Sequence, residues 1–175
     1  MLEYKKNIPF HKLEQELQKL SGNIESLSAP RGFLQAMLYI ISELVVNIQE
    51  HSRAKKAEIL VRIGKKDVTI EIADSGIGLR ESYLRNKIYP KDDFSAIEFA
   101  VSGLSTKGGQ ERGFGLYSIK KLAEALRGTL VITTGRAEAI FERGKVSFRT
   151  VSRAHKGTLV DLTTLVKDIN LYKIL

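Results

Sequence analysis

Cysteine and tryptophan are absent from this 175-residue chain, and histidine and proline occur three times each. Without cysteine there is no disulfide, no thiolate metal site and no thiol nucleophile. The histidines, His11, His51 and His155, are scattered and assemble no metal centre. Any metal would be held by oxygen, which points to magnesium. No apolar run approaches the ~20 residues of a membrane span, and the start, Met1-Leu2-Glu3-Tyr4-Lys5, lacks a signal-peptide core. The expectation is therefore a cytoplasmic protein with no membrane partner. Aromatic residues are only 7%, and no recognition helix or interleaved aromatic platform accompanies the formal charge of +8. Lys and Arg are spread along the chain, which argues against nucleic acid as a partner. No linker rich in Pro, Ser and Gly interrupts the chain, so one domain over residues 1–175 is expected, with an ordinary globular balance of 43% hydrophobic and 27% charged residues.

What is present centres on Leu34 to His51, an apolar helical run into which Glu43, Asn47 and Glu50 are set. At about 100° per residue, Asn47 falls roughly 40° from Glu43 and Glu50 roughly 20° to its other side. The three share one narrow polar stripe, while Met37, Leu38, Ile41, Leu44, Val45 and Ile48 supply a broad core-facing surface. A stripe of this kind is by itself an ordinary solvated face. Its significance comes from two glycine-rich turns later in the chain.

Around that helix the patterning predicts an edge strand over Leu2 to Ile8, closed by Pro9, and a helix over His11 to Leu27 weakened by Gly22. Ala57 to Ile63 and Val68 to Ala73 read as a hairpin about the turn Gly64-Lys65-Lys66-Asp67. From there to about Arg112 regular patterning weakens, with one clear helix over Phe94 to Leu104; such long irregular stretches are usually lids or binding loops. Phe114 to Leu126 reads as a helix, followed by strands over Thr129 to Thr134, Ala139 to Glu142, Lys145 to Thr150 and Thr158 to Thr164. Gly135, Gly144 and Gly157 mark the turns. The fold class expected is an α/β (α+β) two-layer sandwich, a mixed, mostly antiparallel sheet covered on one face by helices.

Three motifs carry chemistry. Asp74-Ser75-Gly76-Ile77-Gly78 stands at a strand end, where Gly76 and Gly78 admit a sharp turn and the close approach of a flat ligand. A buried Asp74 accepts hydrogen bonds only, and so suits an exocyclic amine such as adenine's; an ordinary turn would fit the same pentapeptide. Gly113-Phe114-Gly115-Leu116 opens a helix, whose free amides and dipole make a phosphate seat. Thr106, Lys107 and Arg112 lie just upstream with a hydroxyl and cations. It is not a Walker loop, since Gly-x-x-x-x-Gly-Lys-Ser/Thr is absent. Thr158, after Gly157, would stand beside an adenine or serve simply as a strand residue.

In order, Glu43-Leu-Val-Val-Asn47, Asp74-x-Gly76-x-Gly78, Gly113-x-Gly115-Leu116 and Gly157-Thr158 resemble the four boxes of the GHKL ATP-binding superfamily of gyrase, MutL and histidine kinases. The likeness covers nearly the whole chain and is nearest to the single-domain anti-sigma-factor serine kinases. It implies a Bergerat ATP-binding fold, with ATP and Mg2+ as cofactors. It further implies that Asn47 ligates the metal and bridges the phosphates. Asp74 would read the adenine amine with Thr158 helping through a water, and the amides around Gly113 and Gly115 would hold phosphates. Residues 79–112 would form the lid, with Lys107 and Arg112 neutralising the γ-phosphate. Glu43 matches the family's general base; Glu50 has no family role. The implied partner is a sigma factor, a STAS-type antagonist or another phosphoacceptor, and a homodimer is allowed by analogy.

The departures matter too. No phosphoacceptor-histidine box is present, since Phe10-His11-Lys12-Leu13-Glu14 does not match it, so a complete sensor kinase is not expected. A histidine kinase catalytic module acting in trans, and a nucleotide-gated interaction module with little turnover, stay open. The segment Gly135 to Lys156 adds an extra basic hairpin, either a partner surface or a decorated sheet edge.

Overall fold

Strict alternation organises the sheet. In β2 (Lys56–Ile63) the side chains of Ala57, Ile59, Val61 and Ile63 are buried, and in β3 (Asp67–Asp74) those of Val68, Ile70, Ile72 and Asp74. Antiparallel pairing sets Ile59 opposite Ile72, Val61 opposite Ile70 and Ile63 opposite Val68, so one face of the hairpin is continuous apolar surface. The turn closes through Gly64 N–H donating to the Asp67 carbonyl at 2.9 Å. β1 (Leu2–Pro9) adds to β2 as an edge strand, with Tyr4 and Ile8 facing inward. β4 (Thr129–Glu142) and β5 (Lys145–Leu165) complete a five-stranded sheet of order β1-β2-β3-β5-β4, antiparallel at every junction. The structure is a computed structural model that describes residues 1–104 and 115–175.

The four C-terminal strands expected from sequence are two. Thr129 to Glu142 runs unbroken, as does Lys145 to Leu165, and of the three glycines only Gly144 stands in the turn between them, after Arg143. Gly135 and Gly157 sit where the β4–β5 register shifts; their φ values of +55° and +87° bend the ribbon without ending it. A glycine at a bulge carries the same local signature as one at a turn, so sequence punctuation divided strands that the ladder joins.

Helices cover one face of this sheet. α1 (Leu13–Glu25) buries Leu13, Leu20 and Ile24 and leaves Gly22 on the open side. α2 (Phe33–Asn47) places Phe33, Met37, Ile40 and Ile41 in the core, each at or below 1% exposure. The expected single helix to His51 is shorter: α-geometry stops at Asn47 and a π-turn spans Ile48–Ser52. The weakly patterned stretch holds two helices where one was expected, α3 (Gly78–Arg85) and α4 (Asp93–Val101); Asp92 caps α4 by accepting from Ser95 N–H at 2.8 Å. α3 buries only Ser82 and Tyr83. So narrow an apolar stripe gives little periodic signal. α5 (Gly115–Ala125) packs Leu116, Ile119 and Leu122 on α2 and β4. No helix among the described residues is long and apolar enough to cross a membrane.

Candidate ATP-binding site

The end of β3 supplies the site's one deeply buried carboxylate. Alternation that turns Ile70 and Ile72 inward also turns Asp74 inward, leaving it 7% exposed. Its Oδ1 accepts the Gly76 N–H at 2.7 Å and its Oδ2 accepts the Thr158 N–H at 3.2 Å. Burial pushes the Asp74 carboxyl above its usual value, against the downward pull of those two N–H bonds and of nearby His155. Each oxygen keeps a lone pair for a further donor. Thr158 therefore meets Asp74 through its backbone.

The loop after Asp74 is clamped from two sides. The Ser52 carbonyl, at the end of the π-turn, accepts the Ile77 N–H at 2.8 Å, and a Cβ on Gly76 would stand 1.9 Å from that same oxygen. Only glycine permits this contact, which fixes the end of the α2 segment against the loop. On the other side Thr134 Oγ1 accepts the Leu79 N–H at 3.2 Å and donates to the Gly157 carbonyl at 3.0 Å, joining α3 to the β5 bulge.

The polar stripe of α2 faces the start of α5. A methyl group on Gly115 would lie 3.0 Å from Glu43 Oε2 and 3.1 Å from Asn47 Nδ2, so a carboxylate and a carboxamide flank the first residue of a helix. Glu50 falls on the π-turn, exposed, with His51 Nε2 3.6 Å from its carboxylate. It therefore lies beyond Asn47, the last residue of regular α-helix on which the expected stripe was based.

Asn47, Asp74, Gly78, Gly115, Leu116 and Thr158 line one cavity of about 100 Å³. Gly76 braces Asp74 from beside it, and Glu43 stands next to Gly115 without lining it. Thr106, Lys107, Arg112 and Gly113 lie outside the described residues. The cavity's apolar walls went unread in the sequence. Ile72 and Val160 are directly paired across β3 and β5, and each is two residues from Asp74 or Thr158, so period-two alternation held the signal. Tyr83 on α3 is the other: its hydroxyl donates to the Leu104 carbonyl at 2.8 Å and its ring meets Phe99 edge-on at 5.9 Å. An acceptor-rich end, an apolar floor for a flat base and a helix start for anions stand together.

The family model for histidine kinase-, DNA gyrase B- and HSP90-like ATPases matches residues 34–167. The chain belongs to this ATPase family. The matched stretch runs from the first turn of α2 to just past β5 and contains every described residue of the cavity; β1 and α1 lie before it. A comparison with curated proteins finds none that matches. The antiparallel sheet with helices on one face is the Bergerat fold of this family, and the chain is an ATP-binding module of the GHKL type. Among the described residues no group of three His, Cys, Asp or Glu side chains could hold a metal ion.

Proposed function

We propose that this GHKL module is a Mg-ATP-dependent regulator that phosphorylates a serine or threonine of a partner protein, as anti-sigma kinases do. The observation that carries it is the placement of the Glu43 carboxylate and the Asn47 amide together against Gly115. The residues suit the nucleotide. Asp74 is buried, acceptor-only and keeps capacity for an adenine amine, while Ile72 and Val160 floor the space beside it. The missing Cβ of Gly115 lets the Glu43 carboxylate and the Asn47 amide approach the start of α5 closely.

On this reading the Asn47 side-chain oxygen would hold magnesium, which when bound would neutralise charge on the phosphates. Glu43 takes the proton from the partner's hydroxyl, the freed oxygen attacks the γ-phosphorus in line, and the bond to the bridging oxygen of ADP breaks. Thr106, Lys107, Arg112 and Gly113 are proposed from sequence to meet the phosphates. The cytoplasm is the compartment proposed.

Glu43→Gln tests the reading. It keeps the shape and removes the base, so nucleotide binding should persist by calorimetry while ADP release and phosphate transfer fall about 10²- to 10⁴-fold. Unchanged partner regulation in that variant would replace the kinase by a nucleotide-gated interaction module. An acid-labile phosphoprotein product would replace it by a histidine kinase module.

A further inference from the structure

The β4–β5 ribbon outruns the sheet. β3 accompanies β5 only from Leu159 to Leu165, whereas β4 accompanies it from Lys145 onward. Among the described residues, this part of β5 therefore pairs on one side only, in register over 145–150 and past a bulge at 155, and Lys145 to Thr150 are exposed throughout. The arm is nonetheless held in place. On its β4 strand Ala137, Ala139 and Phe141 are buried, and on its β5 strand Phe148 meets Phe94 of the α4 helix edge-on at 5.9 Å.

Its charge is one-sided. Between residues 136 and 156 stand Arg136, Arg143, Lys145, Arg149, Arg153 and Lys156 against Glu138 and Glu142, a net +4 within a chain of +8. Glu138 pairs with Arg149 and Glu142 stands 3.8 Å from Arg143, so the net charge rests on Arg136, Lys145, Arg153 and Lys156. Alternation puts Lys145, Ser147 and Arg149 on one face of the strand and Val146 and Phe148, 50% and 40% exposed, on the other. Charges that only guard an edge from pairing would not leave Val146 half exposed beside it, with Phe148 still 40% exposed despite its contact with Phe94.

We propose that the outer edge of β5 over residues 145–153 docks an extended, acidic segment of a partner protein, which adds to the ribbon as a further strand. The N–H and C=O groups of this edge, which no other described strand pairs, are matched by another polypeptide backbone, while nucleic acid or lipid headgroups would answer only the charge. Carboxylates of the incoming strand would answer Lys145 and Arg153, and its small apolar residues would cover Val146 and Phe148. The edge draws on nothing in the nucleotide site, so this inference and the kinase reading fail separately.

The test uses the full chain without nucleotide and a fluorescent eight-residue peptide alternating glutamate and valine, read by anisotropy. Saturable binding is expected, weakened about tenfold or more both by N-methylation of alternate peptide amides and by Lys145→Glu with Arg153→Glu. Lys65→Glu with Lys66→Glu, the same charge change in the β2–β3 turn, should leave affinity within about twofold. Equal binding of the N-methylated peptide, equal loss in the Lys65 and Lys66 variant, or no binding overturns the proposal. Tighter binding of oligothymidylate or of phosphatidylserine vesicles than of the peptide would also overturn it, and would assign the arm to nucleic acid or membrane.

Discussion

Replacing Gly115 by alanine separates stability from chemistry at the candidate site. Gly115 is buried at the start of α5, and the added Cβ would lie 3.0 Å from Glu43 Oε2, 3.1 Å from Asn47 Nδ2 and 3.4 Å from Asn47 Oδ1. Comfortable contact lies nearer ~3.5–4.0 Å, so both side chains must retreat by a few tenths of an ångström. They are the ends of rotatable side chains on one helix face, and the fold can give there. Alanine also favours helix over glycine by up to about 1 kcal/mol, less in the first turn, which offsets the crowding. The net change in stability should stay within about 1 kcal/mol, a midpoint shift of no more than about 2–4 °C at this chain length. On the proposed reading Glu43 and Asn47 have no such compensation. A displacement of 1 Å costs about 10²-fold in rate, so a few tenths at both Glu43 and Asn47 should lower Mg-dependent turnover about three- to tenfold. Thermal melting, calorimetric titration with Mg-ATP and a coupled assay of ADP release check the three quantities. Unchanged turnover and affinity would remove Glu43 and Asn47 from the reacting centre, and a midpoint lowered by more than about 8 °C would make Gly115 a packing residue.

Asp74→Asn swaps one acceptor oxygen for a donor that must face an N–H group or the adenine amine, and ATP affinity should fall about tenfold to a hundredfold by calorimetry. Because burial raises this carboxyl, wild-type affinity should begin to fall in acid at a higher pH than an ordinary aspartate would dictate. The nucleotide-free fold shows the opposite sign: the raised carboxyl favours the folded state below the unfolded value of ~3.9, and that contribution is lost as pH rises through the folded value. Melting curves of wild type against Asp74→Asn across that window measure it. On the open sheet face Glu71 and Asp161 are directly opposed, and burial followed by the Glu71 charge raises the Asp161 carboxyl. Asp161→Asn should stabilise the fold by roughly 0.2–1 kcal/mol at neutral pH, with the gain vanishing in acid below the unfolded carboxyl value. A gain that persists in acid would trace the effect to something other than repulsion.

Where one face of an element is buried and the other is wet, the sequence pattern was sufficient. β2 and β3 read correctly because their alternation is unbroken from Ala57 to Ala73 apart from the turn, and the core side of α2 because its apolar residues recur at helical spacing. Asp74 with Gly76 and Gly78 was legible for a different reason: a strand ending in Asp-x-Gly-x-Gly states its turn chemistry locally. The failures share a cause. α3 has two buried residues and so almost no period, the π-turn at Ile48–Ser52 has no compositional mark, and Gly135 and Gly157 look like turns until the ladder shows them as bulges.

The chain by itself thus determined the types of most of its elements, the absence of thiol chemistry and the candidate residues for acceptor, base and anion seat, because these follow from side-chain chemistry and spacing within a dozen residues. Tertiary structure alone decided which of them meet. Asp74 reaches the backbone of Thr158 across 84 positions, Glu43 and Asn47 flank Gly115, and Ser52 closes on Gly76 and Ile77. It also decided that β5 leaves the sheet with an open basic edge. Each of these depends on strand register and helix packing, which are set jointly by the whole core and by no local stretch of it.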